Sequence, residues 1–277
     1  MNGYSIPFSA RLEGLRTIGR EELLPRFASG TRVDYKADGS VITPADHAAD
    51  SAVRHLLRDC GIDEPVLSEE QDEPEQQRVL DEAPAFWLLD PLDGTSNFAT
   101  GLPFFAISLA RIEGQRVTHG ATLDPVRGEL FSVTEDGPLL LDGSEPDTAA
   151  TAPPEIRRCI ALVDYKRVPR TLGRALLDAA PFASQRNLGA CALEWAWLAA
   201  GRADLYLHGG QALWDSTAGT LMLERAGGAM ADLSGAPVFR RDLARRPAIA
   251  ARTPQLQAVW HAWITEHLDP PGSGASA

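Results

Sequence analysis

The residues best suited to chemistry are carboxylates set where secondary structure is expected to stop. In Trp87-Leu88-Leu89-Asp90-Pro91-Leu92-Asp93-Gly94-Thr95 an apolar run meets an Asp, a Pro, a second Asp three residues on, and a Gly. The run reads as a buried strand, and Pro91, which lacks an N–H, is expected to end its ladder at Asp90. Asp93 can then fold back beside Asp90, Gly94 permits close backbone approach, and Thr95 opens a short helix. Two carboxylates forced together repel, raising a pKa, unless a cation neutralises them. Oxygen-only ligands favour a hard ion such as Mg²⁺, and free N–H groups at Gly94 and Thr95 would suit a phosphate oxygen. The same D-x-x-D-G string also suits an ordinary Asp-rich turn.

Three further segments carry acids at element ends. Leu67-Ser68-Glu69-Glu70 follows a Pro and a short apolar step; a Glu pair in isolation is most simply a solvated face. Trp214-Asp215-Ser216-Thr217-Ala218-Gly219 opens a helix, where Asp215 alone reads as an N-cap. Thr43-Pro44-Ala45-Asp46 has capping-box spacing, which accounts for Asp46 and leaves it able to orient a water as well.

The elements that must position these residues alternate in period. Arg11 to Phe27 has loose helical spacing, and a clearer helix runs from Thr43 to Gly61 with Ala45, Ala49, Ala52, Val53, Leu56, Leu57 and Cys60 on one side. Phe86 to Leu89 reads as a buried strand. Phe104 to Ile112, Arg116 to Leu123 and Glu129 to Thr134 read as an antiparallel meander turning at Asp124-Pro125-Val126-Arg127-Gly128. Cys159 to Val163, Ala203 to Leu207 and Ala248 to Ala251 then read as strands among helices at Thr171 to Ala180, Ala190 to Ala200, Asp215 to Arg225 and Gln255 to His267. Strands with helices on their faces predict an α/β layered architecture. Asp142 to Glu155, with little to bury, is expected to separate residues 1–141 from 156–268, and residues 269–277 are expected to be a disordered tail.

The 277 residues carry 26 Lys+Arg against 38 Asp+Glu, a formal net charge of −12, with 44% apolar and 23% charged residues. Such a balance argues against non-specific grip on nucleic acid or anionic membrane. No run reaches the roughly 20 apolar residues of a membrane span, and the start lacks a secretory pattern. Cys60, Cys159 and Cys191 are too few and too scattered for a disulfide framework or a zinc knuckle, and read as reduced, buried thiols of a cytoplasmic protein.

Taken in order, Lys36-Ala37-Asp38-Gly39-Ser40 with Thr43-Pro44-Ala45-Asp46, Ser68-Glu69-Glu70, Asp90 to Phe98, Trp214 to Gly219 and Glu224 to Gly228 resemble the inositol monophosphatase superfamily of metal-dependent, lithium-sensitive phosphatases. The resemblance runs from about Arg11 to about His267. It implies an α-β-α-β-α sandwich with two or three Mg²⁺ between its halves. Glu69, Asp90 and the Leu92 carbonyl would hold one ion, and Asp90, Asp93 and Asp215 a second. Glu69 would also face a third ion; Glu70 is the lesser candidate. Thr95 and Asp46 would orient the attacking water, with Glu69 in the same catalytic group. The Gly94 and Thr95 amides would take phosphate oxygens, and Lys36 would sit on a mobile loop near the site. The resemblance further implies a homodimer.

Asp93, Ala190, Cys191, His208 and Asp215 would face the substrate, and here the pattern departs from the family. Ala190 lacks the hydroxyl often found there, and His208 stands where inositol-specific members carry a Glu. The plainer expectation for His208 is an exposed side chain. The expected activity is therefore hydrolysis of a small polyol or sugar-like phosphate, inositol-1-phosphate first. Sister activities on histidinol phosphate, 3′(2′),5′-bisphosphate nucleotides, fructose-1,6-bisphosphate or NADP are the alternatives. Asn97-Phe98 favours the monophosphatase branches. Outside enzymes, a metal- and phosphate-binding regulatory module and a Ca²⁺-stabilised structural domain compete.

Overall fold

The computed structural model describes residues 8–147 and 155–268, apart from positions 31, 37, 38 and 40 and the side chains of 9–11. The expected tail, the middle of the expected linker, and Ala37, Asp38 and Ser40 of the Lys36 loop lie outside the described residues. The chain begins with α1 (Phe8–Ile18), a π-helical turn (Gly19–Leu23) and α2 (Leu24–Ser29), then β1 (Asp34–Tyr35), β2 (Val41–Ile42) and α3 (Pro44–Asp59). It continues through β3 (Val66–Ser68), α4 (Glu73–Glu82), β4 (Ala85–Asp93), α5 (Thr95–Thr100), β5 (Ala106–Glu113), β6 (Arg116–Asp124), β7 (Glu129–Thr134) and β8 (Leu140–Leu141). The second part holds β9 (Ile160–Asp164), α6 (Arg170–Ala179), β10 (Ser184–Arg186), α7 (Cys191–Ala199), β11 (Leu205–Gln211), α8 (Leu213–Arg225), β12 (Ala229–Ala231), β13 (Arg246–Ala251) and α9 (Pro254–Glu266).

Beyond the short β1–β2 hairpin, two sheets form, ordered β3-β4-β5-β6-β7-β8 and β10-β9-β11-β13-β12. Their strands are apolar on both faces because both faces are covered. In β4, Trp87 and Leu89 pack toward α1 and α3, while Phe86 and Leu88 join the central core with α7 and α8. In β13, Ala248 and Ala250 face that same central core, whereas Ile249 and Ala251 face α6 and α9 through Leu172, Leu176 and Trp260. The layers are therefore α-β-α-β-α, as expected.

Small residues set the spacing of the central helices. A Cβ on Gly219 would overlap the Trp195 side chain, and one on Gly120 would lie 3.2 Å from the Ala218 backbone. The Ala-Gly of W-D-S-T-A-G thus brings α8 against both α7 and β6.

Four expectations need correction. Arg11 to Phe27 is not one helix, because the π turn at Gly19–Leu23 breaks it; a Cβ at Gly19 would meet Leu123 and Pro125. Pro91 does not end the β4 ladder: Asp90 pairs with Ser108, a bulge absorbs Pro91 and Leu92, and pairing resumes at Asp93 with Ala106. Asp142 is no loose linker residue, since its N–H donates to the Leu130 carbonyl and its carboxylate accepts from the Leu130 N–H, both at 2.9 Å. His208 is buried, 7% exposed, on β11. Sequence periodicity also missed the short or polar elements α4, β8, β10 and β12.

Candidate active site

The β4 bulge places Asp90 and Asp93 together at the strand end. Asp90 is buried, and its Oδ1 accepts the Leu92 N–H at 3.1 Å. Gly94 then turns the chain at φ +84°, and α5 starts at Thr95. The left-handed turn and close packing both demand glycine: an added Cβ would stand 2.9 Å from Ala190 Cβ and 3.1 Å from the Phe104 carbonyl. The first-turn amides of α5 have no intrahelical acceptor.

Asp93 performs a second task at long range. Its Oδ1 accepts the Cys191 N–H at 3.1 Å and its Oδ2 the Ala192 N–H at 2.8 Å, capping α7, whose own N-cap, Ala190, has no side-chain acceptor. Asn97 fastens the same junction, donating at 2.7 Å to both the Phe104 and Leu188 carbonyls. Glu194, buried in α7, accepts the Leu188 N–H at 2.7 Å; burial first of all pushes its carboxyl up to about 7. Sequence reasoning assigned Asn97 only as a branch marker and passed over Glu194. A Glu within the apolar string Cys191-Ala192-Leu193-Glu194-Trp195-Ala196-Trp197 is the signal that could have found it.

From the other face of the sheet comes Asp46, the third residue of α3. Its Oδ2 accepts the Thr43 N–H and hydroxyl, each at 2.7 Å, completing the capping box. Its Oδ1 accepts from Thr95 Oγ1 at 3.0 Å, and that hydroxyl also lies 2.9 Å from the Leu92 carbonyl. Burial holds the Asp46 carboxyl above its ordinary range.

Glu69 follows β3, its N–H donating to the Leu89 carbonyl at 3.1 Å, which sets it beside the β4 end. The Glu69–Glu70 pair is no solvated face. Lys36 Nζ lies 2.9 Å from one oxygen of each, and the Glu70 side chain is only 6% exposed. Burial pushes Glu70 up to about 7, while the two acids hold the Lys36 ammonium charged against burial. Asp215 is not the N-cap of α8 but its third residue; its Oδ2 accepts the Ala212 N–H at 2.7 Å.

Asp90 feels Glu69, Asp93 and Asp215, and with burial the largest cause its carboxyl rises well above the ordinary range. Asp93 rises likewise through burial and Asp215, and burial with Glu69 lifts Asp215 to about 6. Among the described residues no three His, Cys, Asp or Glu side chains close on one point at ligating distance. The donor chemistry nonetheless fits a hard divalent cation: crowded, buried carboxylate oxygens whose mutual repulsion a cation would relieve.

On the second sheet, His208 Nδ1 accepts the Gly210 N–H at 3.0 Å, and Nε2 faces Asp164 Oδ2 at 3.4 Å. The acceptor role of Nδ1 puts the proton of the neutral ring on Nε2. Ala190 is buried, and the Cys191 thiol lies 2.9 Å from the Tyr206 hydroxyl and 3.1 Å from Gln211 Oε1. Burial raises that thiol well above the ordinary range, so it is a packed hydrogen-bonding group rather than a nucleophile.

Comparison with known proteins places this architecture. The chain is 30% identical over 233 residues to the Nus factor SuhB of Xylella fastidiosa, covering 82% of this chain and 79% of that protein. It is 30% identical over 210 residues to the inositol monophosphatase of Mesembryanthemum crystallinum, covering 73% and 77%. A solved IMPase/NADP phosphatase complexed with Mg²⁺ and phosphate shares the fold at a TM-score of 0.79, with 19% identity over 95% of each chain. The model of the inositol monophosphatase family matches residues 10–269, and this chain belongs to that family.

Proposed function

We propose that this protein is a Mg²⁺-dependent phosphomonoesterase for small polyol or sugar-like phosphates, with inositol-1-phosphate the first ester to test. The observation that carries this reading is the meeting of Glu69, Asp90, Asp93 and Asp215 from two elements and one loop beside the Thr95–Asp46 hydrogen bond. Glu69, Asp90, the Leu92 carbonyl, Asp93 and Asp215 would hold two or three Mg²⁺. When bound, Mg²⁺ supplies positive charge that offsets both the carboxylates and the ester phosphate.

The chain's own groups would do the rest. Thr95 Oγ1, by giving its proton to Asp46, keeps lone pairs free to accept a proton from water and so orients it, with Glu69 at its other side. The Gly94 and Thr95 amides would take phosphate oxygens. Asp93, capping α7, ties the substrate-facing residues Ala190 and Cys191 to the reaction centre, which Asp215 borders from α8 and His208 from the second sheet. Residues 1–141 and 156–268 are read as two halves contributing to one site, and Lys36 as belonging to a loop that moves near it. We further propose a lithium-sensitive, cytoplasmic homodimer that binds no nucleic acid polymer and no membrane; among the described residues no helix is long and apolar enough to cross a membrane.

Phosphate release from inositol-1-phosphate, histidinol phosphate, 3′-phosphoadenosine 5′-phosphate, fructose-1,6-bisphosphate and NADP, with and without Mg²⁺, tests the reading. Mg²⁺-dependent turnover that disappears in Asp90→Asn is expected; binding of these esters without turnover would overturn it. One observation favours a second reading, a regulatory component: the Xylella relative is named a Nus factor. That reading predicts binding without turnover in the same panel.

A further inference from the structure

The end of the molecule opposite the reaction centre holds a second concavity. Strand β4 delivers Asp93 where it pairs with Ala106, and its other end is where Ala85 pairs with Glu113. At that far end the β5–β6 turn, the last turns of α8 and β12 come together. Asp215 is the third residue of α8, so Glu224, nine residues on, stands about 14 Å from it along the helix axis. Beside these last turns the space between the two sheets stays open, a cleft of about 680 Å³ between Val117 of β6 and Met230 of β12. Cavities of this size, with mostly apolar walls and a few polar groups, take small organic molecules.

Two arginine ties frame the cleft. Arg241, on the segment after β12, crosses to the first sheet and donates to the Leu80 carbonyl at 2.7 Å, to the Ala83 carbonyl, and to the Gly114 carbonyl at 3.0 Å. Its guanidinium lies 5.2 Å above the Phe86 ring. Arg225, closing α8, donates to the Gly137 carbonyl at 2.7 Å. Met230 turns into the cleft, because its partner in β13 is Ala250, whose side chain faces the central core. With Leu221, Val238 and Phe239 it makes an apolar wall.

The polar groups of the lining are unevenly satisfied. Arg116 is paired with Glu135, and the Thr220 hydroxyl donates to the Thr217 carbonyl at 2.8 Å. Glu224 lines the same cleft, and among the described residues its carboxylate has no partner. It also stands in the last turn of α8, where the helix dipole disfavours negative charge. Arg225, next in sequence, is turned to Gly137 instead. The uncompensated field is therefore negative, from a carboxylate and a helix end together. The geometry points to a binding site in this cleft for a small amphipathic cation, an aryl- or alkylammonium. Its apolar body would lie against Leu221, Met230 and Phe239, and its charge would meet Glu224. An anion of the same shape meets repulsion from both sources, and a neutral one leaves Glu224 unpaired.

The test is a chemical-shift titration of the isotope-labelled protein with 4-phenylbutylammonium, 4-phenylbutyrate and 4-phenylbutanol, three probes of one shape and different charge. Saturating Mg²⁺ keeps the ammonium off the acids of the reaction centre. The ammonium is expected to bind about fivefold or more tighter than the carboxylate, one exposed ion pair gained against one like-charge contact suffered. Glu224→Gln is expected to bring the two to within about twofold, and Glu224→Lys to reverse their order. Met230→Trp is expected to weaken all three probes about tenfold or more by filling the cleft. Should that variant unfold, the reversal in Glu224→Lys decides alone, because the position is exposed. Equal binding of ammonium and carboxylate by the wild-type protein, an order unchanged in the Glu224 variants, or affinities untouched in a folded Met230→Trp overturns the site. So does tightest binding of the neutral alcohol, which makes the cleft merely apolar, or no binding of any probe.

Discussion

Gly94→Ala tests the junction that joins the two sheets at the reaction centre. Two costs add. The first is the left-handed backbone at φ +84°, about 1–2 kcal/mol for a residue with a Cβ. The second is overpacking: the new methyl meets Ala190 Cβ at 2.9 Å, the Phe104 carbonyl at 3.1 Å and the Gly189 carbonyl at 3.4 Å, about 1–3 kcal/mol for an overfilled site. Together they predict a loss of about 2–5 kcal/mol, which for a chain of this size lowers Tm by roughly 5–15 °C. Adding Ala190→Gly deletes the nearest contact, its own loss of core packing is read from the single variant, and glycine is acceptable at the N-cap of α7. The double variant is therefore expected to recover about 1–2 kcal/mol as a coupling energy, with the backbone cost retained. Thermal unfolding of wild type, both single variants and the double variant closes the cycle. Strict additivity would mean that Gly94 and Ala190 do not touch, and the packing argument would fail. Phosphate release on the same four proteins should follow the same order, because displacing the 189–190 loop moves the substrate-facing residues.

Three further outcomes follow from the same geometry. Folded-state pKa values lifted by burial and crowding, Asp215 to about 6, Glu70 to about 7, and Asp90 and Asp93 upward, mean that stability is fully present below the ordinary carboxylate range. It is lost as pH rises through those values. Tm in a chelator should fall from pH 5 to pH 8, and the increment that Mg²⁺ adds should grow over the same range; a chelator Tm that climbs with pH would contradict the crowding. Asn97→Ala removes both 2.7 Å ties to the Phe104 and Leu188 carbonyls and should raise KM several-fold while the Mg²⁺-induced Tm increment persists. Thr95→Ala should lower kcat by about 10²-fold or more, with Thr95→Ser retaining most of it, as proton-positioning groups do; equal activity of the two variants would remove Thr95 from the mechanism.

Local chemistry made the acids legible before any fold was known. Asp93-Gly94-Thr95 turns the chain into a short helix, and Thr43-Pro44-Ala45-Asp46 caps a helix through side chains within reach of their own backbone; both hold in the structure. The amphipathic α3 and the apolar runs of the meander, punctuated by turn residues, were also readable, because their patterns are written in contiguous residues. Pairing was not. Pro91 was expected to end a ladder that a bulge instead carries past it, because whether a strand continues depends on its neighbour, here Ser108 and Ala106.

The sequence by itself determined the kinds of groups available: hard oxygen donors at element ends, a threonine that opens a helix, and a glycine where only glycine fits. Tertiary structure alone decided which of them meet. Asp93 caps a helix 98 residues away, Thr95 finds Asp46 across 49 residues, Lys36 reaches Glu69 and Glu70, and His208 turns inward to Asp164. The physical reason is that such contacts come from packing two sheets about α7 and α8, and no local spacing encodes the distance between residues on different layers. Nor does residue type encode whether a carboxyl is hydrated or buried among its own kind, which is what separates the acids of this site from those on the surface.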